Sequence, residues 1–434
     1  MTHTTTGNDA GTKLSTNGRK AIVAGSIGNA VEFLDWAVYT TFSSIFAHHF
    51  FPPGNEAAAL LSTLAIFAVG FVVRPIGAAV MGAYADRFGR KKGLVLTIGL
   101  MAAATFVIGV APDYATVGIA APVILVTARI IQGFAAGGEF GSASAFLVES
   151  AAPQRRAFGG SWQQVSVGIG LLTAAAMGAI LTNTLSTEAL DSWGWRLAFI
   201  VCAALGLVGL WLRRSVEETT AFTQYAKLEQ PGKRGNAVLD MLREYPGASL
   251  RVFGLNIGGV ILYNMWATFM PTFVAISTDI PLSQALVANV IGIIVFIALL
   301  PFAGLLSDLV GRKPTLSLFA GGFLVFAWPA FTLLQGGFVM LLVVQITGLI
   351  LLLGYSSNVA AVMAEQFPAE VRATGIGLPY ALSVALFGGT VPYIVTWLND
   401  NSLNDWIWIY CSAGALVSLV VFLTMPETRG KTLK

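Results

Sequence analysis

The chain has 434 residues, of which 56% are hydrophobic and 11% charged, with a net charge of +3 and a mean hydropathy of +0.74. A soluble domain carries roughly 25% charged residues, so this composition excludes a water-covered globule and makes lipid the main solvent. The small net charge gives no footprint for nucleic acid, and two cysteines exclude a disulfide or cysteine-metal framework.

The first twenty residues are polar and rich in Thr, Gly and Asn. They lack a short apolar stretch with a cleavage site, so no removable signal peptide is expected. Apolar runs then follow at about 21–47, 57–84, 93–111, 119–147, 158–184, 195–213, 250–277, 284–307, 314–334, 338–364, 372–398 and 405–425. A spanning helix needs about 20 apolar residues, and these runs are continuous rather than alternating, which favours helices over a barrel. The predicted fold is therefore an all-α membrane protein of twelve transmembrane helices. Cys202 and Cys411 fall inside runs and read as small core residues. The longest hydrophilic connection, 214–249, reads as a linker with a short surface helix from Val238 to Tyr245. The expected organisation is a tail (1–20), a six-helix bundle (21–213), the linker (214–249), a second six-helix bundle (250–425) and a tail (426–434).

Basic residues set the orientation. With an even number of spans both termini share one side, and 22 of the 25 basic residues fall there. The opposite loops carry acids instead, among them Glu56, Asp113, Glu188 and Asp191. Both termini are predicted to be cytoplasmic. The three remaining basic residues, Arg74, Arg129 and Arg196, lie within or at the edge of apolar runs.

Charged loops recur on the side of the termini. Gly82-Ala-Tyr-Ala-Asp86-Arg87-Phe-Gly89-Arg90-Lys-Lys92 has a weaker copy, Gly304-Leu-Leu-Ser-Asp308-Leu-Val-Gly311-Arg312-Lys313, at a spacing of 308 − 86 = 222 residues. Glu149 to Arg156 has a counterpart in Glu365 to Arg372, at 365 − 149 = 216. Self-similarity at a nearly fixed spacing marks a duplicated unit. Parallel six-span repeats place a pathway at their interface.

The pattern Gly-x-x-x-Asp-Arg-x-Gly-Arg-Lys after span two, its copy after span eight, and Arg129-x-x-Gln132-Gly133 in span four resemble the major facilitator superfamily. Narrower motifs are similar to its metabolite:proton symporter family. These are Gly28-Asn-Ala-Val-Glu32-Phe-Leu-Asp35, Arg74-Pro-Ile-Gly77, Gln132-Gly-Phe-Ala-Ala-Gly-Gly-Glu139-Phe-Gly141 and Trp193-Gly-Trp-Arg196. That family includes carriers of α-ketoglutarate, citrate, shikimate and proline or betaine, and the stretch 46–52 is most similar to the α-ketoglutarate carriers. The chain departs from the family pattern in one place. Where the family has Glu-Trp-Phe/Tyr-Asp-Phe, the chain has Glu32-Phe33-Leu34-Asp35-Trp36, so the aromatic shell around the acids differs.

Mid-membrane charges are costly and by default face a cavity, a partner or a proton path. Glu32 and Asp35 share one face of span one, Glu32 about 18 Å into the span at 1.5 Å per residue. They are the expected proton-coupling acids, Asp35 ahead of Glu32, with a static ion pair to Arg74 or Arg129 as the alternative. Arg74 is the expected ligand for a substrate carboxylate, or else pairs with an acid of a neighbouring span. The resemblance gives Arg129 a role in proton transfer or in supporting the site, and Arg129 is also a candidate, beside Arg74, for binding substrate. Glu139 is expected to gate. The second half has no charge within its span cores, and Tyr263, Asn264 and Tyr380 are the polar candidates for the substrate wall. Asp86, Arg87, Arg90, Glu149, Arg156, Asp308, Arg312, Glu365 and Arg372 lie on the rim, where they would latch helix ends. Leu309 stands where the first copy has Arg87, so the second latch is expected to be the weaker. His48 and His49 read as interfacial.

No nucleotide loop and no hydrolase or metalloprotease motif is present, so neither ATP-driven transport nor an enzyme is expected. The reading is a monomeric secondary transporter in a bacterial-type inner membrane. It needs no cofactor beyond a proton gradient and takes up a small organic acid such as α-ketoglutarate with protons. The alternatives are an osmolyte carrier for proline or betaine and, distantly, a membrane sensor that does not transport.

Overall fold

The computed structural model describes residues 16–88, 90–137, 139–149, 151–214, 237–368 and 371–430. Every regular element among them is helical. Single helices form spans one (Thr16–Phe50), two (Glu56–Phe88), three (Arg90–Val110), five (Arg156–Thr184), six (Trp195–Arg214), eight (Leu282–Val310), nine (Arg312–Leu333) and twelve (Asp405–Thr424). Span four is Ala120–Ala136 followed by Glu139–Glu149, and span ten is Gly337–Ser356 followed by Val359–Ala364. Spans seven and eleven are each interrupted. Pro246–Tyr263 and Met270–Ser277 flank a widened π-helical turn at Asn264–Phe269, and Arg372–Ser383 and Val391–Asp400 flank another at Val384–Gly388. Of the expected linker, 215–236 lies outside the described residues, and a short helix, Ala237–Glu244, precedes span seven.

Lipid explains why helices dominate. With no water to satisfy them, backbone groups must pair within their own segment. Span eight has 29 residues, about 44 Å at 1.5 Å per residue, so its ends project beyond a hydrocarbon core of about 30 Å. The outer surface is apolar, with Val325 79% and Ile119 73% exposed. The inside holds large aromatic side chains, among them Trp195, Trp266, Tyr39 and Phe67, and buried polar groups such as Gln132 and Asn256. The spans form two six-helix bundles. Spans five and eight face each other across the bundle interface, where a Cβ on Gly168 would lie 2.6 Å from the Ile297 side chain and one on Gly304 2.9 Å from the Ala157 carbonyl.

One seam fixes the position of Arg74. Spans two and four approach so closely that a Cβ on Gly133 would sit 1.9 Å from the Gly70 carbonyl oxygen, and one on Gly137 2.1 Å from that of Arg74. Small residues permit such backbone contact in lipid. Gly133→Ala would therefore force the two spans apart. Overpacking of this kind costs about 1–3 kcal/mol. The melting temperature of the purified protein is expected to fall by several degrees; an unchanged value would show that the seam yields freely.

Candidate functional site

Two acid–arginine pairs occupy the middle of the first bundle. Arg74 Nη2 donates to Glu32 Oε1 at 2.8 Å, and both side chains are almost fully buried. Arg129 Nη1 donates to Asp35 Oδ2 at 3.2 Å. The sequence left open which arginine meets which acid. Glu32 and Asp35 are three residues apart, which on a helix is a rotation of about 300°. This 60° offset turns Glu32 toward span two and Asp35 toward spans three and four. Thr105 Oγ1 of span three donates to Asp35 Oδ1 at 2.5 Å, and Gln132 Nε2 of span four donates to the same oxygen at 2.8 Å. Asp35 thus accepts from three side chains.

The pairs differ in what they face. Arg74 lines a cavity of about 40 Å³ between the bundles, together with Phe33, Trp36, Ala37, Phe67, Phe71, Gln164 and Leu171 of the first half and Val260, Tyr263, Asn264, Thr268, Tyr355, Tyr380 and Val384 of the second. The Arg74 guanidinium also lies over the rings of Trp36 and Phe71, 4.5 and 4.6 Å from their centroids. Arg129 does not line the cavity. It is fully buried behind it, 3.7 Å from the centroid of the Tyr39 ring, with its charge turned to Asp35. The expectation that Arg129 binds substrate therefore does not fit this arrangement, because Tyr39 and the aromatic layer of span two screen it.

Tyr263, Asn264 and Tyr380 do meet at the cavity. Asn264 opens the π-helical turn of span seven, a feature frequent at functional sites. Tyr380 stacks on Phe140 of span four at 3.8 Å between centroids, joining the bundles. Several buried polar atoms of the lining have no partner among the described residues: Arg74 Nε, Tyr263 Oη, Trp36 Nε1 and Gln164 Oε1. Three of these four are donors. A buried donor without a partner costs about 1–3 kcal/mol, so the lining is poised for an acceptor-rich guest. Room is short. A water needs about 10–15 Å³ by this measure, so the cavity admits about three, and a larger guest requires the bundles to part.

Sequence reasoning missed Gln164 and Thr105. Both are neutral polar residues within apolar runs, a pattern too common to stand out. Most of the other polar residues of the second half tie helices together. Gln345 donates to Asn289 at 2.7 Å, and Tyr355, although it lines the cavity, gives its hydroxyl to Asn256.

The rim at the end bearing the termini joins the bundles. Asp308 accepts from the Ala157 and Phe158 amides at 3.1 and 2.9 Å, at the positive end of span five. Arg312 binds Asp308 and Glu365, and Arg156 approaches Glu365 at 3.9 Å across the interface. Arg372 of span eleven pairs with Glu149 of span four. The copy expected to be the weaker latch is thus fully engaged. A leucine at 309 costs nothing there, since Leu309 is 70% exposed on the outside. The side chains of Asp86, Arg87, Arg90 and Glu139 lie outside the described residues. Partial burial opposes ionisation of Glu427, but the amides of Arg429, Lys313, Arg312 and Thr428 outweigh it and hold the carboxyl below its ordinary range. On the other side of the cavity, Thr272 Oγ1 donates to the Thr40 carbonyl at 3.1 Å. Cross-bundle contacts therefore lie on both sides of it.

Comparison with known proteins agrees with this architecture. Residues 21–252 match the family described as "Sugar (and other) transporter", and residues 255–434 match "Major Facilitator Superfamily". Alpha-ketoglutarate permease from Escherichia coli (strain K12) is 34% identical over 422 residues, covering 95% of each chain. The proline/betaine transporter of the same strain is 32% identical, covering 96% of this chain and 85% of that one. In fold, a partially occluded inward-open structure of the xylose transporter XylE from Escherichia coli superposes with a TM-score of 0.70 at 20% identity, over 96% of this chain and 99% of that one. The chain, a multi-pass membrane protein, belongs to the major facilitator superfamily and within it to the metabolite:proton symporter family, so it is a transporter and not an enzyme.

Proposed function

We propose that the chain takes up a small carboxylate together with protons by alternating access, as a secondary transporter of a bacterial inner membrane. One observation carries the reading. Arg74 is the only basic lining residue of the cavity among the described residues, and it is bonded to a carboxylate that a proton can neutralise. A proton on Glu32 would release the guanidinium for a substrate carboxylate, which it can grip in bidentate fashion. Proton and anion then favour each other's binding. The name of the α-ketoglutarate permease relative supports a dicarboxylate. The distribution of basic residues supports a cytoplasmic location for the end bearing the termini, and the engaged rim would then close the inner side.

The second reading is a betaine or proline carrier, favoured by the seven aromatic side chains of the lining and by the second relative's name. A quaternary ammonium group would sit on such rings. Against it, Arg74 already lies over Trp36 and Phe71, and the donor-rich lining lacks a surplus anion. Reconstituted protein given an inward proton gradient should accumulate radiolabelled α-ketoglutarate and alkalinise the outside, with betaine at background. Accumulation of betaine alone would overturn the carboxylate reading. Accumulation without proton movement would overturn coupling.

The rim contacts are proposed as the latch of the closed inner side. Asp308→Asn weakens the charge–dipole contact without touching the cavity. Exchange across the membrane should change rate at least threefold while substrate affinity stays within twofold. A large affinity change with normal exchange would refute the assignment.

A further inference from the structure

Away from the cavity, at the end opposite the termini, two adjacent histidines converge on one carboxylate. His48 Nε2 lies 3.0 Å and His49 Nε2 3.3 Å from Asp191 Oδ1. Neighbouring residues on a helix point about 100° apart and do not normally meet. Here they do, because Asp191 sits in the widened turn Leu190–Gly194, which folds against the end of span one. The three potential ligand atoms lie within 4.8 Å of one another.

We propose that His48, His49 and Asp191 form a binding site for a divalent transition metal of the zinc type. Zinc bonds of about 2.0–2.1 Å in a tetrahedron put ligand atoms about 3.3 Å apart, close to the two separations to Asp191. Closing the third edge needs a turn of His48, whose side chain is 46% exposed, and the ion would replace the 2.9 Å contact of His49 Nε2 with the Asp191 carbonyl. Two imidazoles with one carboxylate suit zinc, nickel or copper, not magnesium or calcium. The surroundings fit the same chemistry. The second nitrogen of His49, Nδ1, faces Asp113 Oδ1 at 3.5 Å, the placement by which a carboxylate orients a ligating imidazole. Arg196 binds Asp113 and so takes up that charge, leaving Asp191 as the anion for the metal. The exposed sides of His48 and Asp191 give access from solvent and room for a fourth, water ligand. All three ligands belong to the first bundle, so the ion would brace its rim without bridging the bundles.

The test is titration of tag-free, full-length protein in detergent with zinc chloride and, separately, magnesium chloride, by calorimetry. One zinc per chain is expected, with no magnesium response. His48→Gln and Asp191→Asn should each weaken zinc binding at least tenfold, and His3→Ala should leave it unchanged. Cobalt in place of zinc should give a visible absorption band that His48→Gln removes, which reports the site even where a variant is less stable. No saturable zinc binding, equal response to magnesium, or affinity unchanged in both ligand variants overturns the proposal.

Discussion

Arg74→Ala is expected to weaken binding of a dicarboxylate by about 30-fold or more and to abolish its uptake. Removing one partner of a buried, hydrogen-bonded charge pair costs about 2–5 kcal/mol, and every 1.4 kcal/mol is tenfold. The single variant carries a complication. It leaves Glu32 buried without its guanidinium at 2.8 Å, and such a break destabilises by about 3–5 kcal/mol unless the acid takes up a proton. It also strips the cation from over the rings of Trp36 and Phe71. The double variant Arg74→Ala/Glu32→Gln removes both charges and restores neutrality, so its fold should survive while binding stays lost. Arg74→Lys should fall between, since it keeps the charge but loses the planar fork. Equilibrium binding of radiolabelled substrate, paired with a melting curve, separates the effects. A stable double variant that binds within threefold of the parent would remove Arg74 from the substrate site.

Much of this architecture is legible in the sequence because lipid enforces it. A chain 11% charged must bury each mid-membrane charge for a reason, and Glu32, Asp35, Arg74 and Arg129 stand out for their cost alone. All four are buried at the centre of the first bundle. The pairing was not legible, because it depends on a 60° difference in helical angle and on which neighbour lies there. Neutral groups left no trace either. Thr105 has the Met101 carbonyl of its own helix within hydrogen-bond distance as well as Asp35, so its one hydroxyl proton always has an acceptor and its residue type carries no signal. Gln164 is likewise a neutral polar residue within an apolar run, so its residue type carries no signal either. At the rim the structure turns Leu309 outward and leaves the contact to Asp308 and Arg312, a difference in facing that residue charge alone does not report.

Glu32→Gln and Asp35→Asn are the second pair of large effects, and they bear on which acid carries the proton. The sequence ranked Asp35 first. The geometry adds an argument for Glu32, since its partner Arg74 is the one that lines the cavity. Asp35 is held by Thr105, Arg129 and Gln132, so a proton arriving there competes with three donors. Glutamine at 32 imitates the protonated acid permanently. Arg74 would then be released at every pH, so substrate exchange down its own gradient should stay within threefold of the parent. Proton-driven accumulation should fall at least tenfold, because binding no longer depends on the proton. Asparagine at 35 should also spare exchange more than accumulation, since the amide oxygen still accepts from Gln132 or Thr105. Loss of accumulation in Glu32→Gln alone assigns coupling to Glu32, and loss in Asp35→Asn alone assigns it to Asp35. Equal loss of exchange and accumulation in both would make the acids binding or folding groups. Full proton-driven accumulation in both would falsify coupling through this face of span one.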